Sequence, residues 1–441
     1  MKSVETIFNP DILIIGGGAS GTLAAISAAR KNQKVLLVES KGALGGSRTL
    51  MGVDTFNGFF SPGEKTYQLV GGISYEVVER LMKRKSAFIR QNTFGSGPVV
   101  TYDMEQLKIV YEEMVLEAGG NLLYYSFIPE VKVEDKMIKS VTVCNKAGLN
   151  QIQAKLVIDA SGDLDVAASA GEDYELAGIN GNPVQSLTAV FYMANVDNKK
   201  TFSLSQEDLT KIMREANESG KYNLTRIGGS IHPTPHPGYI HANLTRISNV
   251  NATDPLALTK AEIEGRRQVQ EYVRFLINEY PGFENAYLAT TACSIGVRET
   301  RRLKGEYILT GKDIKEGAKF DDAVACCSAP IEDHNAGKDV RWQFLESGDF
   351  YQIPYRSLLP KKIVNLLVAG RCLSATHDGQ ASARNSAQCM ALGEAAGVAA
   401  ALAFSKGISP KELNKNELQE NLVKQGVILK PIEINIERLF K

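Results

Sequence analysis

The sequence predicts an α/β fold in which a Rossmann-like dinucleotide-binding domain is interrupted by an inserted α+β domain. Two observations support this prediction. An apolar strand pattern at 12–15 runs into a glycine-rich turn, and a strand of the same buried type returns near 363–371. The intervening residues are more polar and are broken by proline and glycine. We therefore expect a discontinuous nucleotide-binding domain, residues 1–175 and 356–441, with a substrate domain at 176–355 between its two parts.

The first segment has the pattern of a βαβ unit. Four consecutive apolar residues at 12–15 are typical of a parallel strand that is buried on both faces. Residues 21–31 are predicted to form a helix, and residues 34–40 a second buried strand. A later helix is expected to begin after Asp103 as its N-cap, with Gln106 completing a capping box.

Three further patterns complete the expected architecture. Strand-like alternation covers residues 122–145 and is broken near Asp135 by a hairpin signal. A long helical pattern lies inside the inserted domain. Near the C terminus, the Ala/Gly-rich stretch 386–404 is nearly long enough to span a bilayer, but Gln388 and Glu394 interrupt it. We expect this stretch to be a helix packed closely against the sheet.

Composition and charge exclude several classes of partner. Fifty basic residues balance fifty acidic ones, so no overall field attracts nucleic acid or an anionic membrane. The six cysteines include no C-x-x-C, which argues against a thiol–disulfide reductase and a structural zinc site. The N-terminal stretch carries Asp11 and glycines where a signal peptide would have an unbroken apolar core. We expect a cytoplasmic protein with free thiols, no nucleic-acid partner and no membrane association.

The glycine-rich turn has the spacing of a dinucleotide-binding motif. Gly16, Gly18 and Gly21 fit G-x-G-x-x-G directly after a strand and at the start of a helix. The first glycine permits the tight turn, the second lets the backbone approach a pyrophosphate, and the third lets helix and strand pack closely. Glu39 ends the second strand, where a carboxylate can bind a ribose 2′-hydroxyl and repel a 2′-phosphate. These features predict a dinucleotide other than NADP.

Downstream motifs favour FAD over NAD. A second glycine pair, Gly45-Gly46, lies soon after Glu39 and would let the backbone run along an extended dinucleotide. A strand near 363–371 ends in Gly370-Arg371 and is expected to return to the same sheet. The helix that follows it could direct its positive N-terminal dipole at a reduced isoalloxazine.

The combination of these motifs is similar to the glutathione-reductase-type flavoproteins. More narrowly, it resembles the bacterial FAD-dependent oxidoreductase family, which has distant relatives among fumarate reductase and succinate dehydrogenase flavoproteins. The matching stretches cover nearly the whole chain and include GGGASG, LGGSRT, VIDASGDLDVAASAG, SIGVRETRRLKGEY and NLLVAGRCLSATHDGQASARNSAQCMALGEAAG. The resemblance implies an FAD-dependent enzyme but is much less specific for a substrate.

The resemblance also implies which residues hold FAD. Those in the motifs are Gly16, Gly18, Gly21, Glu39, Gly45, Gly46, Gly162, Gly370 and Arg371, and their neighbours Ser20, Ser40, Ser47, Ala160, Ser161 and Gly393 complete the expected cofactor site. Some fumarate reductase relatives attach FAD covalently through a histidine after the second strand. The corresponding segment here, LGGSRTLMG, has no histidine. We therefore expect non-covalent FAD.

His377 and Arg384 are the first candidates for catalysis. They follow the strand end at Gly370-Arg371 and precede the helix expected to face the flavin. His377 could act as the acid or base, and Arg384 could hold a substrate carboxylate or steady the flavin charge. Alternatively, His377 caps a turn, and Arg384 forms a structural ion pair with a nearby acid.

Two other segments contribute candidates. Arg298 lies in an arginine-rich stretch, GVRETRRLKGEY, and could belong either to the site or to a salt-bridge network. His334 follows Asp333 and is a second candidate acid or base. The histidine cluster His232, His236 and His241 is interrupted by prolines and has no acidic ligand close by in sequence. We expect no metal there, but an ordinary polar loop or a loop facing the active site.

The predicted reaction transfers a hydride between flavin N5 and a small polar organic substrate, a carboxylate or a sugar-like compound. No second dinucleotide motif and no iron–sulfur pattern is visible. Either the substrate therefore reduces FAD directly, or a separate electron donor or acceptor, which could be a partner protein, exchanges electrons with it. A flavin-binding electron relay or sensor is the alternative function, and an NAD-dependent dehydrogenase explains fewer motifs. The sequence leaves open whether the chain forms a homo-oligomer.

Overall fold

The computed structural model describes residues 5–334 and 340–435. The strands in that part of the chain are β1 (Glu5–Phe8), β2 (Ile12–Ile15), β3 (Val35–Val38), β4 (Thr55–Phe56), β5 (Thr66–Gln68), β6 (Ala87–Gln91), β7 (Pro98–Tyr102), β8 (Asn121–Leu123), β9 (Phe127–Glu134), β10 (Met137–Asn145), β11 (Gly148–Gln153), β12 (Leu156–Asp159), β13 (Tyr174–Leu176), β14 (Phe191–Ala194), β15 (Ser230–Pro233), β16 (Ile240–Asn243), β17 (Tyr287–Thr291), β18 (Arg301–Leu303), β19 (Ala323–Cys327), β20 (Ile331–Asp333), β21 (Arg341–Gln343), β22 (Tyr351–Pro354), β23 (Leu366–Val368) and β24 (Ile432–Ile434). The α-helices are α1 (Ala19–Ala29), α2 (Gly72–Lys83), α3 (Met104–Glu117), α4 (Asp165–Ser169), α5 (Asn198–Thr201), α6 (Gln206–Glu218), α7 (Pro255–Glu279), α8 (Gly311–Lys315), α9 (His377–Ala383), α10 (Ser386–Lys406) and α11 (Lys415–Lys424). Short 3₁₀ helices lie at Gly46–Arg48, Tyr355–Leu358 and Pro410–Glu412.

A five-stranded parallel sheet, in the order β23-β12-β2-β3-β8, forms the centre of the fold. Because successive side chains on a strand point to opposite faces, Ile12 and Ile14 enter one apolar core and Leu13 and Ile15 enter another. Helices α1, α2, α3 and α10 cover the first face. The antiparallel β9, β10 and β11 cover the second, together with α4. The predicted α/β class with a parallel, Rossmann-like sheet is confirmed.

The strand β23 brings a segment from beyond residue 355 into this sheet. It pairs in parallel with β12, so that Leu367 lies beside Ile158. A second, separate core is formed by the antiparallel sheet β15-β16-β14-β17 with α6 and α7, and its buried residues run from Phe191 to Ala286. Strands β19 and β22, which precede residue 356, pack instead in the core of the parallel sheet. Packing against the core of the parallel sheet therefore resumes before residue 356, the predicted start of the second part of the nucleotide-binding domain.

Local signals predicted several element boundaries. The side chain of Asp103 caps α3 by accepting hydrogen bonds from the amides of Glu105 and Gln106. The predicted capping box is wrong, because the amide of Asp103 donates to the Ser86 carbonyl, while the Gln106 side chain accepts a hydrogen bond from Arg84. The hairpin near Asp135 is confirmed, since this residue has a positive φ of 51° between β9 and β10.

Helix α10 lies at the centre of the molecule. Among the described residues, α10 is a helix that is long enough and apolar enough to cross a membrane, judged by length and composition only. However, 89% of its most apolar stretch is buried inside the protein. A Cβ added at Gly393 would lie 2.0 Å from the Ser20 carbonyl oxygen, and one at Gly397 would lie 2.4 Å from that of Ala24. The small residues of α10 therefore permit its close contact with α1.

Candidate active site

A cavity of about 590 Å³ lies at the carboxyl ends of the parallel strands. Ile15 and Val38 end two of these strands, and Ala160 and Ala369 directly follow two others. Ligands of open α/β sheets bind at this edge because the strand-to-helix turns expose backbone amides there. Of the sequence-predicted residues, the cavity is lined by Gly16, Gly18, Ser20, Glu39, Ser40, Gly46, Ser47, Ala160, Ser161, Gly162, Arg298, Arg371 and Arg384.

The three motif glycines have three different environments. Gly16 has a φ of 96°, and a Cβ there would lie 2.5 Å from the carbonyl oxygen of Ala160. A Cβ at Gly21 would lie 1.8 Å from the Gly16 oxygen, so α1 touches the turn that precedes it. A Cβ at Gly18 would meet nothing within 4 Å. Only the middle glycine therefore opens onto free space, at the N-cap of a helix whose first amides no side chain caps.

Glu39 places a carboxylate at the end of β3. Its Oε2 accepts a hydrogen bond of 2.7 Å from the amide of Gly17, and its Oε1 accepts one of 2.8 Å from the amide of Lys41. The Ser40 hydroxyl also donates to Oε1, at 3.0 Å. The carboxylate is thus held rigidly beside the glycine turn, with one edge on the cavity, as a ribose-binding acid requires.

The second glycine pair packs against the first motif. The amide of Gly45 donates to the carbonyl of Gly17 over 2.7 Å, and a Cβ at Gly46 would lie 3.1 Å from the Cα of Gly18. Gly45 and Gly46 have φ values of 104° and 53°, a region that glycine adopts without strain. The pair therefore places backbone along the cavity next to the helix start.

Four predicted cofactor residues do not line the cavity. Gly21, Gly45, Gly370 and Gly393 instead fill positions of close contact, and a Cβ at Gly370 would lie 2.2 Å from the Ser20 hydroxyl. Their glycine identity follows from packing around the motif, and their part in holding FAD stays a prediction.

Arg298 and Arg384 line the cavity as half-buried cations. Arg298 donates to the carbonyl of Ser186 at 2.6 Å and to the Thr188 hydroxyl at 2.8 Å, and burial lowers its pKa to about 9. Arg384 donates to the Glu332 carbonyl at 3.3 Å, while its Nε has no hydrogen-bond partner in the described part of the chain. Among residues 5–334 and 340–435, no ion pair within 4.0 Å joins either guanidinium to a carboxylate.

Glu332 is the acidic residue of this arginine cluster. Burial opposes its ionisation, but the charges of His334, Arg384 and Arg298 prevail and lower the pKa of its carboxyl to about 2. Arg226 adds a third guanidinium, which is buried and bonds to Asn243 on the cavity wall. In this cluster the guanidinium groups of Arg226, Arg298 and Arg384 outnumber the single carboxylate of Glu332, so this part of the wall favours an anionic ligand.

The structure corrects the placement of both predicted catalytic histidines. His377 lies outside the cavity between two acids, with Nδ1 2.9 Å from Glu299 and Nε2 3.1 Å from Asp333. Burial lowers its pKa, but the bonds to these carboxylates outweigh burial and raise it to about 9. His334 is buried behind Glu332, bonded to it at 2.7 Å, and burial lowers its pKa to about 3. The position of His377 after the strand β23 suggested contact with the flavin. Instead, the first turn of α9 directs its ring to the carboxylates of Glu299 and Asp333.

A smaller cavity of about 100 Å³ adjoins the large one, and it contains residues that local sequence patterns did not reveal. Five residues line both cavities: Val53, Asn57, Asn243, Glu332 and Asn385. His232 and His241 line the smaller one, with their rings stacked 4.1 Å apart, and β4 begins beside Asp54, which bonds to His232. His236, the third member of the cluster, is exposed and bonded to Asp103 instead.

The sheet, the glycine turn and the acid at the end of β3 define a dinucleotide-binding protein of the Rossmann-like class. The open space at Gly18, the uncapped start of α1 and the carboxylate of Glu39 fit the pyrophosphate and ribose of FAD, and the cavity is within the range of ligand sites, about 300–1,000 Å³. The chain belongs to the FAD dependent oxidoreductase family, whose pattern matches residues 11–422. It is an enzyme whose cofactor is FAD, as the sequence resemblance implied.

Comparisons with other proteins are more distant. The chain is 31% identical over 116 residues to dihydrolipoyl dehydrogenase of Trypanosoma brucei brucei, a match that covers 24% of this chain and 23% of that protein. Among solved structures it is similar to a geranylgeranyl bacteriochlorophyll reductase-like protein from Thermoplasma acidophilum, with 13% identity over 95% of this chain and 84% of the other and a TM-score of 0.49. It is also similar to p-nitrophenol 4-monooxygenase from Pseudomonas putida DLL-E4, with 12% identity, 96% and 85% coverage and a TM-score of 0.48. Nothing about the reaction follows from these likenesses.

Proposed function

We propose that this enzyme oxidises or reduces a small organic molecule that carries a carboxylate. The observation that carries the proposal is the pair Arg298 and Arg384 on the wall of the cofactor cavity, with a buried Nε of Arg384 that has no hydrogen-bond partner among the described residues. A buried unpartnered donor is unfavourable by about 1–3 kcal/mol, and a carboxylate removes that penalty through two parallel hydrogen bonds. Arginine is suited to this role because its planar fork matches a carboxylate.

FAD is held non-covalently in this proposal, with its diphosphate at Gly18 and its ribose at Glu39, as in glutathione-reductase-type flavoproteins. Residues 1–175 and 356–441 supply most of the cofactor site, and the inserted segment 176–355 supplies Arg298. When bound, FAD supplies two-electron chemistry through a hydride exchanged at N5. The residues of this chain bind and orient the substrate carboxylate, and the surrounding buried wall excludes water from the reacting carbon.

The test is anaerobic addition of 2-hydroxy acids, amino acids and dicarboxylates to the FAD-loaded protein, followed by its visible spectrum. We expect one of these carboxylates to bleach the flavin bands. In Arg384→Met and Arg298→Met, the concentration needed should rise by about 10–100-fold, the range for loss of a charged hydrogen bond, with FAD still bound. Arg267→Met, on the exposed face of α7, is the matched control and should behave as the wild type.

Two outcomes would contradict the proposal. Sugars that bleach the flavin while every carboxylate fails would replace the substrate class. A flavin that ignores all small molecules, yet is reduced by a partner protein, would indicate an electron relay or sensor.

A further inference from the structure

The smaller cavity contains a buried acid–histidine pair. Nε2 of His232 lies 2.8 Å from Oδ1 of Asp54 and 3.3 Å from the hydroxyl of Thr55. His232 is 6% exposed and Asp54 1%. Among the described residues, Nδ1 of His232 has no hydrogen-bond partner, and the ring lines the cavity. This arrangement orients one imidazole so that a single nitrogen remains for a ligand.

The groups packed around the pair hold few formal charges. His241 stacks on His232, and its Nε2 lies 3.7 Å from Asp54. Neither ring nitrogen of His241 makes a hydrogen bond of normal geometry, although the nearby Gly52 backbone favours its protonated form. The charged or titratable side chains that interact with the pair are Arg90, Tyr102, Tyr192, Tyr239 and His241.

Burial controls the protonation of this group. It raises the pKa of Asp54, lowers the pKa of His232 well below its ordinary value, and lowers that of His241 to about 3. An imidazolium is therefore unfavourable at this position, whereas a neutral imidazole is permitted, as the Nε2–H tautomer beside an ionised Asp54 and as the Nδ1–H tautomer beside a protonated one. Arg90, whose pKa burial lowers to about 10, remains a cation at neutral pH and balances the Asp54 carboxylate.

We propose that Asp54 and His232 form the proton relay of this enzyme, an inference that rests on the proposed function. In the oxidation direction, the proton that the substrate loses binds to Nδ1 of His232. The proton on Nε2 passes at the same time to Oδ1 of Asp54. The electron pair that the lost proton leaves behind forms the new double bond of the product, and the C–H bond of the adjacent carbon breaks with both of its electrons, so that its hydrogen leaves as the hydride that oxidised FAD would accept. His232 changes tautomer and Asp54 becomes the neutral acid, so no buried imidazolium is formed. Reduction of a substrate runs the same steps in reverse.

The position of the pair supports this role. Asn57, Asn243 and Glu332 line both cavities, so a molecule whose carboxylate lies on the arginines can extend past them to His232. The small cavity, at about 100 Å³, has room for a few non-hydrogen atoms. One substrate could therefore contact the cofactor cavity and the relay together.

The same three side chains, Asp54, His232 and His241, are close enough together to bind one metal ion. The 2.8 Å separation of Asp54 and His232 is a hydrogen-bond length, and the Arg90 cation disfavours a second cation beside it. Metal analysis of the purified protein separates the two interpretations. We expect substoichiometric metal, and one tightly bound ion per chain would overturn the relay.

The direct test measures protonation without any substrate. Histidine selectively labelled with ¹⁵N would be followed by NMR in the FAD-loaded protein between pH 9 and pH 4.5, and His232→Gln would assign the signal among the five histidines. We expect His232 to change from the Nε2–H to the Nδ1–H tautomer on acidification, with no imidazolium at neutral pH. In Asp54→Asn the ring should keep the Nε2–H tautomer at neutral pH and show no tautomer change. An imidazolium at pH 7, or an unchanging tautomer in the wild type, would overturn the proposal.

A second test uses any carboxylate that bleaches the flavin. We expect Asp54→Asn to slow that reduction by about 10²–10³-fold, within the range of general acid–base catalysis, and to leave photoreduction of the flavin unchanged. Binding should change little, as measured in the apoprotein through Trp342, the single tryptophan of the chain, which lines the small cavity. His236→Gln, which removes the exposed histidine of the same segment, is the control.

The two tests separate failure of the relay from failure of the proposed function. If no carboxylate bleaches the flavin but the tautomer change occurs, the relay stands and the substrate class is wrong. If the flavin is bleached at the wild-type rate in Asp54→Asn, the relay is wrong and the substrate class stands.

Discussion

Gly18 and Gly21 should respond in opposite ways to the same substitution, alanine. Gly18 has an ordinary φ of −67°, and a Cβ there meets nothing within 4 Å. Alanine restricts the unfolded chain more than glycine does, which stabilises the folded protein by about 0.4–1 kcal/mol. Alanine is also a poorer N-cap than glycine, and this destabilises the helix by an amount of about the same size. The two effects nearly cancel, so the apoprotein of Gly18→Ala should be as stable as the wild type to within about 1 kcal/mol.

The methyl group of Gly18→Ala would point into the space assigned to the diphosphate. We expect the affinity for FAD to fall at least tenfold, or about 1.4 kcal/mol, because backbone amides at the start of α1 can no longer approach the phosphate oxygens. In Gly21→Ala the added Cβ would lie 1.8 Å from the carbonyl oxygen of Gly16. No rotamer relieves a contact with backbone, so α1 must move, and we expect destabilisation of about 3 kcal/mol or more.

Urea unfolding of the apoproteins, followed by circular dichroism, measures the stability differences. Titration of FAD, followed by quenching of its fluorescence, measures binding. Wild-type affinity in Gly18→Ala would refute the position of the diphosphate. Wild-type stability in Gly21→Ala would refute the close packing of α1 on the turn.

Three further predictions concern groups outside the two cavities. Burial raises the pKa of Glu394 from 4.5 to about 7. The stability that its acid form contributes is therefore complete below pH 4.5, and up to about 3 kcal/mol of the free energy of unfolding is lost as the pH rises through 7. Urea titrations at pH 5 and pH 8 should show this loss in the wild type and not in Glu394→Gln. The raised pKa of His377, about 9, contributes stability that is complete below pH 6.5 and is lost as the pH rises through 9. His377→Gln should therefore lower the free energy of unfolding by up to about 3 kcal/mol at pH 6 and by little at pH 10. Flavin reduction should be retained in this variant. Loss of reduction in His377→Gln at wild-type FAD content would instead restore it as a catalytic candidate. Cys293 is the exposed cysteine, whereas burial raises the pKa of Cys326 to about 12 and that of Cys327 to about 11. Alkylation with iodoacetamide, followed by mass spectrometry, should therefore find Cys293 modified first. Early modification of Cys326 and Cys327 would contradict their burial.

Local patterns determined the parts of the site that lie close together in the chain. The motif from Gly16 to Gly21 and the acid at Glu39 belong to one strand–helix–strand unit, whose geometry follows from backbone sterics and hydrogen bonding. A parallel strand buried on both faces is an apolar run, so the return of the chain through β23 was also visible. These signals were sufficient to predict the α/β class and FAD.

Tertiary structure alone decided which polar side chains meet. Asp54 and His232 are separated by 178 positions, and no periodicity or spacing connects them. The sequence argument against an acid near the histidines therefore failed, because it considered only neighbours along the chain. The contacts of His377 were hidden in the same way: it follows the strand β23, but the first turn of α9 directs its ring to Glu299 and Asp333. Contact between distant side chains depends on how helices and sheets pack, which local sequence does not encode.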